Sequence, residues 1–220
     1  ALLGLLGATC GKIGREIYTL MKTEFGEVEE PLPPGTVGSS TMPQKRNPQL
    51  CQDIIAAAAE LRSLVPLALE AAQVEHEADR TTTLMMHEAV SRASILTGDV
   101  LARLTVIIPG LKLDPGRMRR NLDLSGGLIM AEAVMLKLGT AIGRQHAHDV
   151  VYDAAQKAAT EGGAFAALLA ADPRVTPYMT EAEVRALLDP TGYIGLCPEI
   201  ARAAARRARV AARGQGADLA

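Results

Sequence analysis

Residues 33–48 read PPGTVGSSTMPQKRNP. Six of these sixteen residues are Pro or Gly, and Ser39, Ser40 and Thr41 add small polar side chains, which is the composition of a tether. On both sides the chain reads as helix. Ala and Leu dominate, Trp is absent, and only two Phe and four Tyr occur, as suits close-packed helices with almost no strand. A long irregular segment inside such a chain is either functional or disordered. Whether it is a linker or a catalytic loop decides how the helices around it are read.

Upstream, the spacing of Ile13, Ile17, Leu20 and Met21 predicts a helix from about Leu2 to Glu24. Downstream, Asn47 followed by Pro48 predicts a helix start, with Asn accepting from orphan amides and Pro tolerated in the first turn. The second helix is expected over about 48–72, with Ile54, Ala58, Leu61, Val65 and Ala68 forming the seam of a long bundle. A polar break, VEHEADRTTT, leads into a third long helix that Pro109 and Gly110 end. Residues 1–110 are therefore read as part of a central helical bundle, with residues 26–47 as its loop.

Beyond residue 110 the pattern changes to shorter helices, expected near 115–122, 126–138, 143–160, 164–170, 180–188 and 197–213. Residues 111–220 are read as a small C-terminal helical domain. Asp114 before Pro115 marks one helix start, and Thr180 with Glu183 forms a capping box at another. The fold class expected is all-α, a long antiparallel bundle followed by this domain.

With 48% hydrophobic and 22% charged residues the chain can bury a real core, and a formal net charge of −2 gives no reason to expect nucleic acid or an anionic membrane as partner. The opening apolar run is broken by Lys12 and Arg15, too early to span a bilayer. It has neither an initiator Met nor a cap, so a segment preceding residue 1 is expected. Cys10, Cys51 and Cys197 are odd in number and far apart, which points to reduced thiols and a cytoplasmic location.

Within the loop, Gly38, Ser39, Met42, Lys45 and Asn47 satisfy G-S-x-x-M-x-x-K-x-N. On that motif, together with IYTLMKTEFGEVEEP, MRRNLDLSGGLIMAEAVMLKLG and LLDPTGYIG, the chain resembles the fumarase/aspartase superfamily over nearly its whole length. The likeness is greatest to the 3-carboxy-cis,cis-muconate cycloisomerase branch, with adenylosuccinate lyase next. It implies a homotetrameric enzyme acting on a small di- or tricarboxylate. The reaction is proton abstraction next to a carboxylate with β-elimination or its reverse. No metal or organic cofactor is implied.

The resemblance makes Ser39 the general base and Ser40, Thr41, Met42, Lys45 and Asn47 substrate-binding residues. The physical reading agrees. Lys45 supplies a cation, and Asn47 donates a neutral hydrogen bond beside a helix N-terminus that favours an anion. A serine hydroxyl becomes a base only when donors surround its alkoxide, so the loop must close over substrate, with Gly35 and Gly38 as hinges.

His76 and Arg80, in EHEADR, resemble a family segment that faces the site and join the substrate-binding set; the bland alternative is a solvated helix start. His87, three turns on, reads as an ordinary helix histidine. His146 and His148 do not share a helical face and read as surface. Arg202, Arg206, Arg209 and Arg213 form one basic face, read as solvated because no aromatic residue accompanies them.

Two positions depart from the family pattern. Gln52 stands where several members carry a Glu that pairs with the acid histidine, which disfavours fumarase and argininosuccinate lyase. Gln44 stands where cycloisomerases and adenylosuccinate lyases usually carry His. The general acid is expected in an N-terminal half upstream of this chain, so the rival reading is a non-catalytic helical scaffold or an incomplete fragment.

Overall fold

The structure, a computed structural model, describes residues 1–32, 35, 41–42, 46–77 and 79–217. Among them are nine α-helices and one two-stranded ladder, so the chain is all-α as expected. It divides into two compact units, Ala1–Arg119 and Arg120–Ala220.

The first unit is a three-helix bundle of α1 (Leu2–Leu20), α2 (Gln49–Glu70) and α3 (Arg80–Gly110). Its core holds Cys10, Ile17, Cys51, Ile54, Leu61, Leu96, Val100 and Ile107. The face that α1 buries differs from the expected one. Ile17 is buried, but Ile13, Leu20 and Met21 are only partly covered, and the closest approach to α2 is made by Gly4, Gly7, Gly11 and Gly14. A β-carbon on Gly7 would stand 2.8 Å from Leu61 Cδ2, and one on Gly14 would stand 3.0 Å from Ile54 Cγ2. Glycines at steps of three and four let the helix axes come together, and the apolar side chains are supplied by α2.

The first helix also ends a turn earlier than predicted. The chain turns away through Gly26, whose φ of +61° is a left-handed conformation suited to glycine. The Gly26 N–H donates to the Lys22 carbonyl at 2.7 Å, and that of Glu27 to the Leu20 carbonyl at 3.0 Å. Arg117 closes the turn, donating to the carbonyls of Thr23, Glu24 and Phe25 at 3.1, 3.0 and 2.8 Å. Strand β1 (Val28–Glu29) then pairs antiparallel with β2 (Lys112–Leu113), Val28 opposite Leu113 and Glu29 opposite Lys112.

By length and composition α3 could cross a bilayer. It instead runs a buried stripe of Ala89, Ala93, Leu96, Val100, Leu104 and Ile107 into the bundle. It ends at Gly110, where the sequence placed its stop, with Pro109 inside the last turn. In its last third, Arg103 Nη1 lies 2.7 Å from Asp53 of α2, and its Nε lies 3.1 Å from each oxygen of Asp99.

Helix α4 (Pro115–Asp123) opens with the Asp114 carboxylate accepting from the Arg117 N–H at 2.8 Å, the start anticipated from the sequence. The second unit contains α5 (Ala131–Ile142), α6 (Arg144–Thr160), α7 (Phe165–Ala171), α8 (Glu181–Leu187) and α9 (Cys197–Ala217). Phe165, Val134, Leu138, Val150, Leu169 and Val184 fill its core. The predicted capping box is formed at α8, with Thr180 accepting from the Glu183 N–H and Glu183 accepting from the Thr180 N–H.

Candidate functional site

The loop that carries the motif leaves the bundle at the end of β1 and rejoins it at α2. Strand geometry sends successive side chains to opposite faces, and Glu29 and Glu30 follow that rule. Glu29 faces outward, 3.7 Å from Arg46 Nε and 3.4 Å from Lys112 Nζ. Glu30 faces inward and is only 2% exposed. Its two carboxylate oxygens accept from the backbone N–H groups of Leu50 and Cys51, each at 3.0 Å.

That arrangement corrects the expected helix start. Asn47 does not serve as the N-cap of α2. The cap position is Pro48, which makes no side-chain capping hydrogen bond, and the orphan amides of the first turn go to Glu30. Asn47 is half-buried, and its carbonyl accepts from the Gln49 N–H at 2.9 Å. Glu30 was missed because its role is a contact across twenty residues of chain. The available signal was a charged residue two positions after Val28, on the inward-facing phase of a short strand.

Cys51 sits against the same carboxylate. Burial first, then the hydrogen bond to Glu30 and its charge, push the Cys51 thiol well above its ordinary value. A thiol so protonated is not a nucleophile. Cys10 is likewise raised by burial. Among the described residues no three His, Cys, Asp or Glu side chains cluster as a metal site would require.

Of the remaining candidates, Ser39, Ser40 and Lys45 lie outside the described residues. Thr41 and Met42 are exposed. His76 is exposed and has a φ of +56°, the one left-handed residue other than glycine among those described. Asp79 caps α3, accepting from the Thr81 N–H at 2.8 Å, and Arg80 is the first, exposed residue of that helix. His87 lines an open groove with Ala71, Thr82, Met86 and Val90. His146 and His148 are exposed, as read from their spacing.

The structure does not bring all the candidates together. Asn47 precedes the first residue of α2, and His76 and Arg80 follow its last. The 22 residues of α2 separate the two groups by ~33 Å at ~1.5 Å per residue. Within one chain these side chains belong to opposite ends of the bundle.

Comparison with known proteins places these features in a family. The family model described as "Lyase" matches residues 1–62, and that described as "Adenylosuccinate lyase C-terminus" matches residues 127–204. An N-acetyl-S-(2-succino)cysteine lyase of Dickeya dadantii is 36% identical over 89% of this chain and 43% of its own length. An adenylosuccinate lyase of Pyrococcus horikoshii is 38% identical over 91% of this chain and 44% of its own. The crystal structure of the 3-carboxy-cis,cis-muconate lactonizing enzyme from Pseudomonas putida superposes with a TM-score of 0.82 at 39% identity, covering 94% of this chain and 46% of that one. The chain belongs to the fumarase/aspartase superfamily and corresponds to the C-terminal portion of its members. It spans less than half the length of the curated relatives it matches.

Proposed function

We propose that the protein containing this chain removes a proton from carbon next to a carboxylate and expels, or adds, a group on the neighbouring carbon. The observation that carries this is the run Gly38, Ser39, Met42, Lys45 and Asn47, set immediately before a helix whose start is anchored by a buried carboxylate. Ser39 acts as the base. The electrons released from the C–H bond pass to the substrate carboxylate as an enediolate, which Lys45 and the Asn47 amide stabilise. Collapse of that charge forms the double bond as the bond to the β-substituent breaks.

The substrate we favour is a carboxymuconolactone. The departing β-group is then the lactone oxygen, which remains tethered as a new carboxylate, and the product is 3-carboxy-cis,cis-muconate. Likeness to the Pseudomonas putida enzyme supports this choice, and Gln52 is compatible with it. The alternative is a lyase that releases fumarate from a nitrogen-substituted succinate, favoured by the C-terminal family model and by the Pyrococcus relative. The name of the Dickeya relative adds a sulfur-substituted succinate to the panel worth screening.

The proposed assembly is a cytoplasmic homotetramer in which different protomers contribute Asn47 and the His76–Arg80 segment to one site. The distance between the ends of α2 supports it, since one chain cannot close that gap. So does the outward face of α3, where Leu84, Ile95 and Val106 recur every eleven residues, three helical turns apart, and are 58%, 64% and 51% exposed.

An ultraviolet assay of the full-length protein on carboxymuconolactone, adenylosuccinate and S-(2-succino)cysteine derivatives tests the reading. Turnover of one of them, lost by ~10²–10⁴-fold in Ser39→Ala, is the expected result. Wild-type turnover in that variant would remove Ser39 as the base, and no turnover on any of them would favour the non-catalytic scaffold.

A further inference from the structure

A helix N-terminus favours an anion through its unpaired amides and its dipole, and the sequence invites the view that the start of α2 offers this to substrate. Each of its amides already has a partner. The Gln49 N–H donates to the Asn47 carbonyl and the Gln52 N–H to the Pro48 carbonyl, each at 2.9 Å. Leu50 and Cys51 donate to Glu30, and Pro48 has no N–H to give. Glu30 reaches them from inside the protein, buried against the fully buried Cys51. The preceding residue, Glu29 at the end of β1, points the other way and lies beside Arg46. Two successive acidic residues thus contact the chain on either side of Asn47 and Pro48, Glu29 at Arg46 and Glu30 at Leu50 and Cys51.

We propose that Glu30 is a positioning residue, a built-in carboxylate that fills the anion site at the α2 N-terminus and so sets Asn47 at the root of the motif loop. Substrate carboxylates are then held by side chains of the loop and of neighbouring protomers, and not by the amides of α2. The kinetic part of this proposal rests on the function proposed above; the structural part does not.

The test exploits the empty site that truncation leaves. Glu30→Ala removes the anion but keeps two inward-pointing amides and the helix dipole, so a small carboxylate can replace what was lost. In Glu30→Gln the site stays filled, and the new amide nitrogen points a donor at a donor. In the full-length protein, Glu30→Ala is expected to lose about 10²-fold in kcat with KM little changed, the penalty of a misplaced group. Amide exchange at Leu50 and Cys51 is expected to accelerate. Formate, on the order of 100 mM, should restore both the melting temperature and most of the lost turnover by mass action, and sodium chloride at equal ionic strength should not. Glu30→Gln should show the loss without the rescue.

Should Glu30→Ala fail to fold alone, folding in formate is the positive result and failure to fold there is the negative one. Wild-type melting and exchange in Glu30→Ala, or rescue by chloride equal to that by formate, would overturn the proposal. If the wild-type protein turns over no substrate, the proposed function falls, while exchange and formate-dependent melting still decide the role of Glu30.

Discussion

Gly14 of α1 packs so closely on Ile54 of α2 that an added β-carbon would stand 3.0 Å from the Ile54 Cγ2 and 3.4 Å from the Cys51 carbonyl oxygen. Ile54 is fully buried and has no room to retreat. Gly14→Ala therefore sets an overpacking cost of ~1–3 kcal/mol against a helix-propensity gain of up to ~1 kcal/mol. The expected net is destabilisation by about 1 kcal/mol. Gly98, in the middle of α3, has open space around the position of its β-carbon. The same substitution there should stabilise the chain by ~0.5–1 kcal/mol. Chemical denaturation of the two variants checks the opposite signs, and equal effects would mean that the α1–α2 approach is looser than described.

The thiols differ by burial. Cys10 and Cys51 are buried and raised, whereas Cys197 is exposed. A disulfide-exchange reagent at pH 8 should modify one thiol per native chain at once and the other two only after unfolding. A thiol raised in the folded state contributes stability that is fully present below the unfolded value near 8.5 and fades as pH climbs toward the folded one. Melting temperature should fall on the alkaline side more steeply in the parent than in Cys51→Ala.

In the second unit Arg174 grips Asp172 through Nε at 3.0 Å and Nη2 at 2.8 Å, and reaches Asp153 at 2.9 Å. The hydrogen bond from Arg174 is the main cause holding the Asp172 carboxyl below its usual range. Because Arg174 is about half exposed, solvent screens the pair, and Asp172→Asn should cost only ~0.5–1 kcal/mol at neutral pH. A depressed carboxylate stabilises above its unfolded value near 3.9, and that contribution disappears as pH falls through the folded one. Thermal melts of parent and variant should therefore converge below about pH 4.

Ile95, 64% exposed on the outward face of α3, tests the proposed assembly. A charge there costs the separate protomer little and would be buried unpaired between copies. Ile95→Glu in the full-length protein is expected to lower the sedimenting mass. An unchanged mass would place the interface elsewhere.

The helices were legible in the sequence because they are local. Of the seam expected on α2, Ile54, Ala58 and Leu61 are buried while Val65 and Ala68 are half-buried, and Asp114 and Thr180 cap where their identities required. The buried face of α1 was less legible. Its closest approach to α2 is made by Gly4, Gly7, Gly11 and Gly14, which register as gaps in an apolar pattern although their 3-4-3 spacing was there to be read. The same limit applies to the candidate site. Five residues at fixed intervals identify a family, and the helix expected over about 48–72 already set Asn47 and Arg80 at its two ends, but intervals do not reveal that Glu30 fills its first turn.

What the sequence by itself determined is therefore the helical class, the helix starts at Asp114 and Thr180 and the motif that identifies the family, all read from residue type and local spacing. The tertiary structure alone decided what fills the α2 N-terminus. Glu30 reaches Leu50 and Cys51 because β1 pairs with β2, a ladder that joins Glu29 to Lys112 across 83 residues. A carboxylate's partner at that distance is set by where the folded backbone puts two amides, and no local rule of composition or spacing encodes it.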